Sequence, residues 1–100
     1  MLTAGGRANS VGRVASIRVT NDVSDLLCVF IEPCGEDYWI RRRQVLHLVA
    51  DIGGEAIEII AHPQGLSVWA GAADHVDAQD EEGRPLVCGH QRPPDAFGGA

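Results

Sequence analysis

The chain lacks any apolar run long enough to cross a bilayer. Its longest strongly apolar stretches, Leu26 to Ile31 and Val45 to Ala50, are six residues each, against the roughly 20 a spanning helix needs. The first sixteen residues, MLTAGGRANSVGRVAS, carry two arginines but no apolar core of the kind an export signal requires. A cytoplasmic protein is expected. Cations are also scarce. With 8 basic against 14 acidic residues and a formal charge of −6, nothing suits a phosphate backbone, so neither nucleic acid nor a membrane is expected as a partner. The one basic cluster, Arg41, Arg42 and Arg43, sits between two apolar segments and reads as a solvated turn.

Recognisable chemistry is missing as well. The three cysteines, Cys28, Cys34 and Cys88, are odd in number and lack Cys-x-x-Cys spacing, which leaves free thiols in a reducing compartment. No glycine-rich phosphate loop and no Gly-x-Ser-x-Gly elbow occurs. The acidic stretch Asp74 to Glu82 lacks the spacing of a calcium loop and reads as a solvated hairpin. Cys88 and His90 lie two apart, but one such pair cannot close a metal site. Cys34 stands among Glu32, Glu36 and Asp37, with no cation beside it to activate the thiol.

What is present is a fold. At 100 residues, 45% apolar and 22% charged, the chain suits one globular domain. Gly, Pro and small polar residues at both ends predict a flexible segment over 1–12, a single β domain over 13–90 and a flexible tail over 91–100. Between the ends the apolar residues recur at period two, which sets successive side chains on opposite faces of a strand. Val14 to Thr20 alternates cleanly. Leu26 to Glu32 is apolar on both faces, as in a central strand. Tyr38 to Arg41, Gln44 to Asp51, Ala56 to His62 and Leu66 to Ala70 follow, with His75 to Gln79 and Pro85 to Cys88 as weaker strands. Turns are expected at Pro33 to Gly35, at Gly53-Gly54 and at Pro63 to Gly65. The Gly53-Gly54 turn predicts that the strands on either side of it pair as a hairpin. A short helix over Arg42 to Asp51 is the rival reading of that stretch. About seven to eight short strands with turns between them predict an all-β domain, an antiparallel β-sandwich or a jelly-roll-like small barrel.

With the hairpins in this register, one face gathers Ile40, Leu46, Leu48, Ala50, Ile57, Ile59, Ala61, Leu66, Val68 and Ala70, the expected core. The opposite face collects Trp39, Val45, His47, Val49, Glu58, Ile60, His62, Ser67 and Trp69, too apolar for solvent and too polar for a core. A binding surface of Trp39, His47, Glu58, Ile60, His62 and Trp69 is therefore expected. It would act by protein contact or self-association, with the tryptophans as anchors and no cofactor. A small-molecule pocket is a further possibility. The alternative is a divalent transition metal held by His47, Glu58 and His62, with two imidazoles and a carboxylate as ligands. An acidic inhibitor that masks a basic site also fits the charge.

The stretch Ile31-Glu32-Pro33-Cys34-Gly35-Glu36-Asp37-Tyr38-Trp39-Ile40, with Val45 to Val49 and the glycine turn after it, resembles small uncharacterised bacterial all-β proteins that carry a Glu-Pro-x-Gly-Glu-x-Tyr/Phe segment. It is loosely similar to the opening hairpins of cupin-type jelly rolls. The likeness spans residues 28–62 and departs at Arg42-Arg43-Gln44, where those proteins carry Pro-Gly-Glu. It implies a fold and no activity.

Overall fold

The computed structural model describes residues 14–53, 56–71 and 75–98. The segment expected to be flexible over 1–12 lies outside them. Seven strands occur among the described residues: β1 (Val14–Thr20), β2 (Leu26–Glu32), β3 (Glu36–Arg41), β4 (Val45–Asp51), β5 (Glu58–His62), β6 (Gly65–Trp69) and β7 (Val76–Gln79). The stretch 42–51 is turn and strand, not helix. The strands form a three-stranded sheet in the order β1-β4-β7, sheet A, and a four-stranded sheet in the order β3-β2-β6-β5, sheet B. All pairings are antiparallel except β2 with β6. The fold is an all-β sandwich.

Period-two alternation builds the core. Along β4, Leu46, Leu48 and Ala50 face inward, and their cross-strand partners Val19, Ile17 and Ala15 on β1 face the same way. Ala78 and Val76 on β7 complete that layer. Sheet B answers with Val29 and Ile31 from β2, Tyr38 and Ile40 from β3 and Val68 from β6, all at most 4% exposed. Burying a side chain of this size contributes about 1.5–3 kcal/mol, so these two inner faces supply most of the drive to fold.

The hairpin expected across Gly53-Gly54 does not form. β4 belongs to sheet A and β5 to sheet B, so the chain crosses the sandwich there instead of turning back along one sheet. The core prediction largely survives because the inner faces of two sheets oppose each other, so residues assigned to one face still meet. The exceptions are on β5, the edge strand of sheet B, where Ile59 is 50% exposed and Ala61 is exposed as well. The Pro63-Gln64 turn does join β5 and β6 as a hairpin.

Two crossings between sheets are tied together by Asn21, which is wholly buried. Its Nδ2 donates to the carbonyls of Ser24 (3.1 Å) and Ile40 (2.8 Å), and its Oδ1 accepts from the amides of Val23 and Ser24. Its backbone joins the arginine turn, donating to Gln44 O and accepting from Arg43 N. Arg41, Arg42 and Arg43 themselves are exposed.

The stretch 85–88, expected as a strand, forms isolated bridges and turns that close one side of the sandwich. Asp80 caps the acidic turn, accepting from the amides of Glu82 and Arg84 and pairing with the Arg84 guanidinium. Leu86 N then donates to Ala78 O on sheet A. Next, Gly89 N donates to Asp37 O, and His90 O accepts from Trp39 N on sheet B. The edges of β7 and β3 are thus laced by one segment.

Candidate functional site

Outward-facing positions of sheet B follow from the same register. They are Asp37 and Trp39 on β3, Cys28 and Phe30 on β2, Ser67 and Trp69 on β6, and Glu58, Ile60 and His62 on β5. Five of the six residues expected to form one binding surface stand here: Trp39, Glu58, Ile60, His62 and Trp69. His47 does not. It lies on the outer face of sheet A, across from Arg18 and Gln79, with its Nε2 against Ser16 Oγ. The single mixed face read from the sequence is two faces on opposite sides of the sandwich, because β4 and β5 are in different sheets. The metal set of His47, Glu58 and His62 is split by the same crossing. Among the described residues no group of three or more His, Cys, Asp or Glu side chains could hold a metal ion.

The sheet B face has a covered half and an open half. Over β3 and β2 lie residues 91–98, expected from composition as part of a flexible tail. Arg92 meets Asp37 with two nitrogens, Nε to Oδ2 at 2.8 Å and Nη2 to Oδ1 at 2.6 Å. Trp39 Nε1 donates to the same carboxylate at 2.7 Å, and the Cys88 thiol lies 3.5 Å from it. Asp37 is consequently buried, 4% exposed, and the Arg92 hydrogen bonds hold its carboxyl down at about 2. Gln91 Nε2 donates to Trp39 O. Phe97 then packs against Trp39 and Phe30 at centroid distances of 6.2 and 6.4 Å, with the Arg92 guanidinium over its ring. Under this cover the Cys28 thiol is pushed up to about 12 by burial and by the Asp37 charge, an effect partly offset by Arg92.

His62 marks the boundary. Its ring stacks on Phe30 at 5.8 Å. Its Nδ1 accepts from Gln64 N at 3.2 Å, which places the proton on Nε2, where it is donated to Ser67 Oγ at 2.8 Å. A neutral imidazole is thereby satisfied at both nitrogens, which suits a structural group better than a metal ligand. Beyond it, the β6–β5 half is open. Trp69 is 42% exposed and Ile60 41%, neighbouring Glu58 and Ser67 through the strand register. At the end of the sheet, Val23, Leu26, Leu66 and His62 help to line an open cleft of about 510 Å³.

Sequence reasoning missed Asn21 and the Asp37–Arg92 pair. Period two does place Asp37 on the face of Trp39, but nothing local ties position 37 to position 92. No protein-family model, curated protein or solved structure matches the chain. Among the described residues, no helix is long and apolar enough to cross a membrane.

Proposed function

We propose that this chain is a binding module that works by protein–protein contact through the open half of the sheet B face, with Trp69 and Ile60 as anchors and Glu58 and His62 as polar points. One observation carries the reading. The chain covers half of this face with its own Phe97, yet leaves a tryptophan and an isoleucine at diagonal positions of adjacent strands on the other half, each more than 40% exposed. Large half-exposed aromatic and aliphatic neighbours are the composition of an interface centre rather than of a solvated sheet. Three unpaired thiols fit a reducing compartment, the cytoplasm.

A photo-crosslinking amino acid placed at Glu58 in the intact chain tests this in cells, with Ser16 on the outer face of sheet A as the control position. Covalent adducts from position 58 and none from position 16 are expected. Absence of adducts from 58 would remove the reading. Trp69→Ala should reduce adduct yield at least about tenfold, the scale of a lost interface anchor.

A further inference from the structure

We infer that the partner at this surface is a second copy of the chain, joined antiparallel through the free edge of β5 so that two sheets B become one eight-stranded sheet. The inference rests on the contact reading above for Ile60 and Glu58, which lie on β5, while Trp69 on β6 stands outside the paired edge.

Among the described residues nothing pairs with the outer edge of β5. All five of its positions are exposed or half-buried. By contrast, the opposite edge of sheet B, β3, is covered by residues 88–90. Natural edge strands are usually guarded by charged side chains, above all lysine, by proline or by a bulge. β5 has no lysine, proline or bulge, and its one carboxylate, Glu58, stands at its first position. Instead Ile59 and Ile60 present large apolar side chains on both faces.

The register is self-complementary. The hairpin closes on the pair His62 and Gly65, so His62, Ile60 and Glu58 direct their amides and carbonyls at β6. Ile59 and Ala61 therefore direct theirs at the free edge. A two-fold axis through Ile60 sets Ile59 against the partner's Ala61 on both sides and satisfies all four groups on each chain. It also places Ile60 against the partner's Ile60 and Glu58 against the partner's His62. No like charges oppose each other in this register, whereas a two-fold pairing centred on Glu58 would set two carboxylates face to face. On the outer face, Trp69 flanks this seam one strand away, beside Glu58.

Sedimentation velocity of the full chain across micromolar concentrations, with two variants, tests the inference. The wild type should sediment at twice the chain mass. Ala61→Pro removes only an outward-pointing amide, twice per dimer, and should weaken the dimer roughly tenfold to a hundredfold. Ile60→Lys sets two cations face to face and should give monomer. In a Cys34→Ser, Cys88→Ser background, Ile60→Cys should form a covalent dimer on mild oxidation while Ile59→Cys should not, since only position 60 lies opposite itself. A wild type that stays monomeric overturns the inference, as does a dimer indifferent to both Ala61→Pro and Ile60→Lys. If the isolated chain is monomeric while position 58 crosslinks to a different protein, this inference falls and the contact reading stands. If there is neither dimer nor adduct, both fall.

Discussion

Asp37 shows how much one side chain holds in this molecule. Its carboxylate gathers Arg92, Trp39 and Cys88 and so fixes residues 88–92 to β3. In the folded chain it titrates at about 2 instead of near 3.8. As pH falls the unfolded chain therefore takes up the proton first. The pair's contribution is complete above about pH 5 and drains away between about 4 and 2, amounting to ~1–2 kcal/mol once the partly exposed Arg92 is discounted for screening. Asp37→Ala should lower stability by ~2–4 kcal/mol at neutral pH, because it also strands the Trp39 indole N–H and the Arg92 charge. Urea unfolding at pH 7 and pH 3 checks both statements, since the gap between wild type and variant must narrow at pH 3. Asn21→Leu should cost ~2–3 kcal/mol by leaving the buried Ile40 carbonyl and the part-buried amides of Val23 and Ser24 without their partner. Gly65 has φ +140°, and a Cβ there would run into the Cys28 carbonyl oxygen, so Gly65→Ala should cost a further ~2–4 kcal/mol and disturb the β2–β6 register. Neither Asn21 nor Asp37 declares itself in the sequence, where each is one more polar residue beside a turn. Their importance comes from partners 19 and 55 positions away.

At the level of elements, strand positions are legible because alternation is a local property. Val14–Thr20 and Leu26–Glu32 follow directly from it. Which strands pair is not legible. Gly53-Gly54 has the chemistry of a tight turn, but the strands before and after it, β4 and β5, lie in different sheets, and the β2–β6 parallel pairing makes sheet neighbours of strands with three others between them in sequence. The C-terminal segment was opaque for a related reason: QRPPDAFGGA has the composition of a tail, and only the aromatic surface of Phe30 and Trp39 gives Phe97 a seat. That seat leads to an element-scale prediction. In a Trp69→Phe background, where Trp39 is the one remaining indole, Phe97→Ala should shift tryptophan emission to the red and raise iodide quenching, at a stability cost of no more than ~1 kcal/mol because Phe97 is itself 60% exposed. An unchanged spectrum would show that Phe97 does not cover the indole in solution.

Across the whole molecule, the candidate site was half legible. The sequence separates inward from outward positions correctly, since alternation sorts them within each strand. It cannot say that the outward positions of β4 and β5 belong to opposite sides of a sandwich, so His47 fell out of the surface while Trp39, Glu58, Ile60, His62 and Trp69 stayed together. The same layered architecture gives the three thiols different fates. Cys34 and Cys88 are exposed, whereas Cys28 is 1% exposed beneath the C-terminal segment and its thiol is pushed up to about 12. Only a thiolate reacts readily with a disulfide reagent or an alkylating agent. At pH 8 Cys28 is barred on two counts, access and protonation, and reaches reagent only when sheet B parts from the segment above it. Titration with an aromatic disulfide at pH 8 should therefore release two equivalents promptly and the third at the rate of a larger opening, rising with urea. Phe97→Ala, which removes no more than ~1 kcal/mol, should speed the third thiol by at most about fivefold, and Asp37→Ala by at least about tenfold. The urea dependence separates the possibilities for that opening. If lifting residues 91–98 suffices, the rate should rise with urea far less steeply than global unfolding does, and if the sandwich must unfold as a unit, the two slopes should coincide.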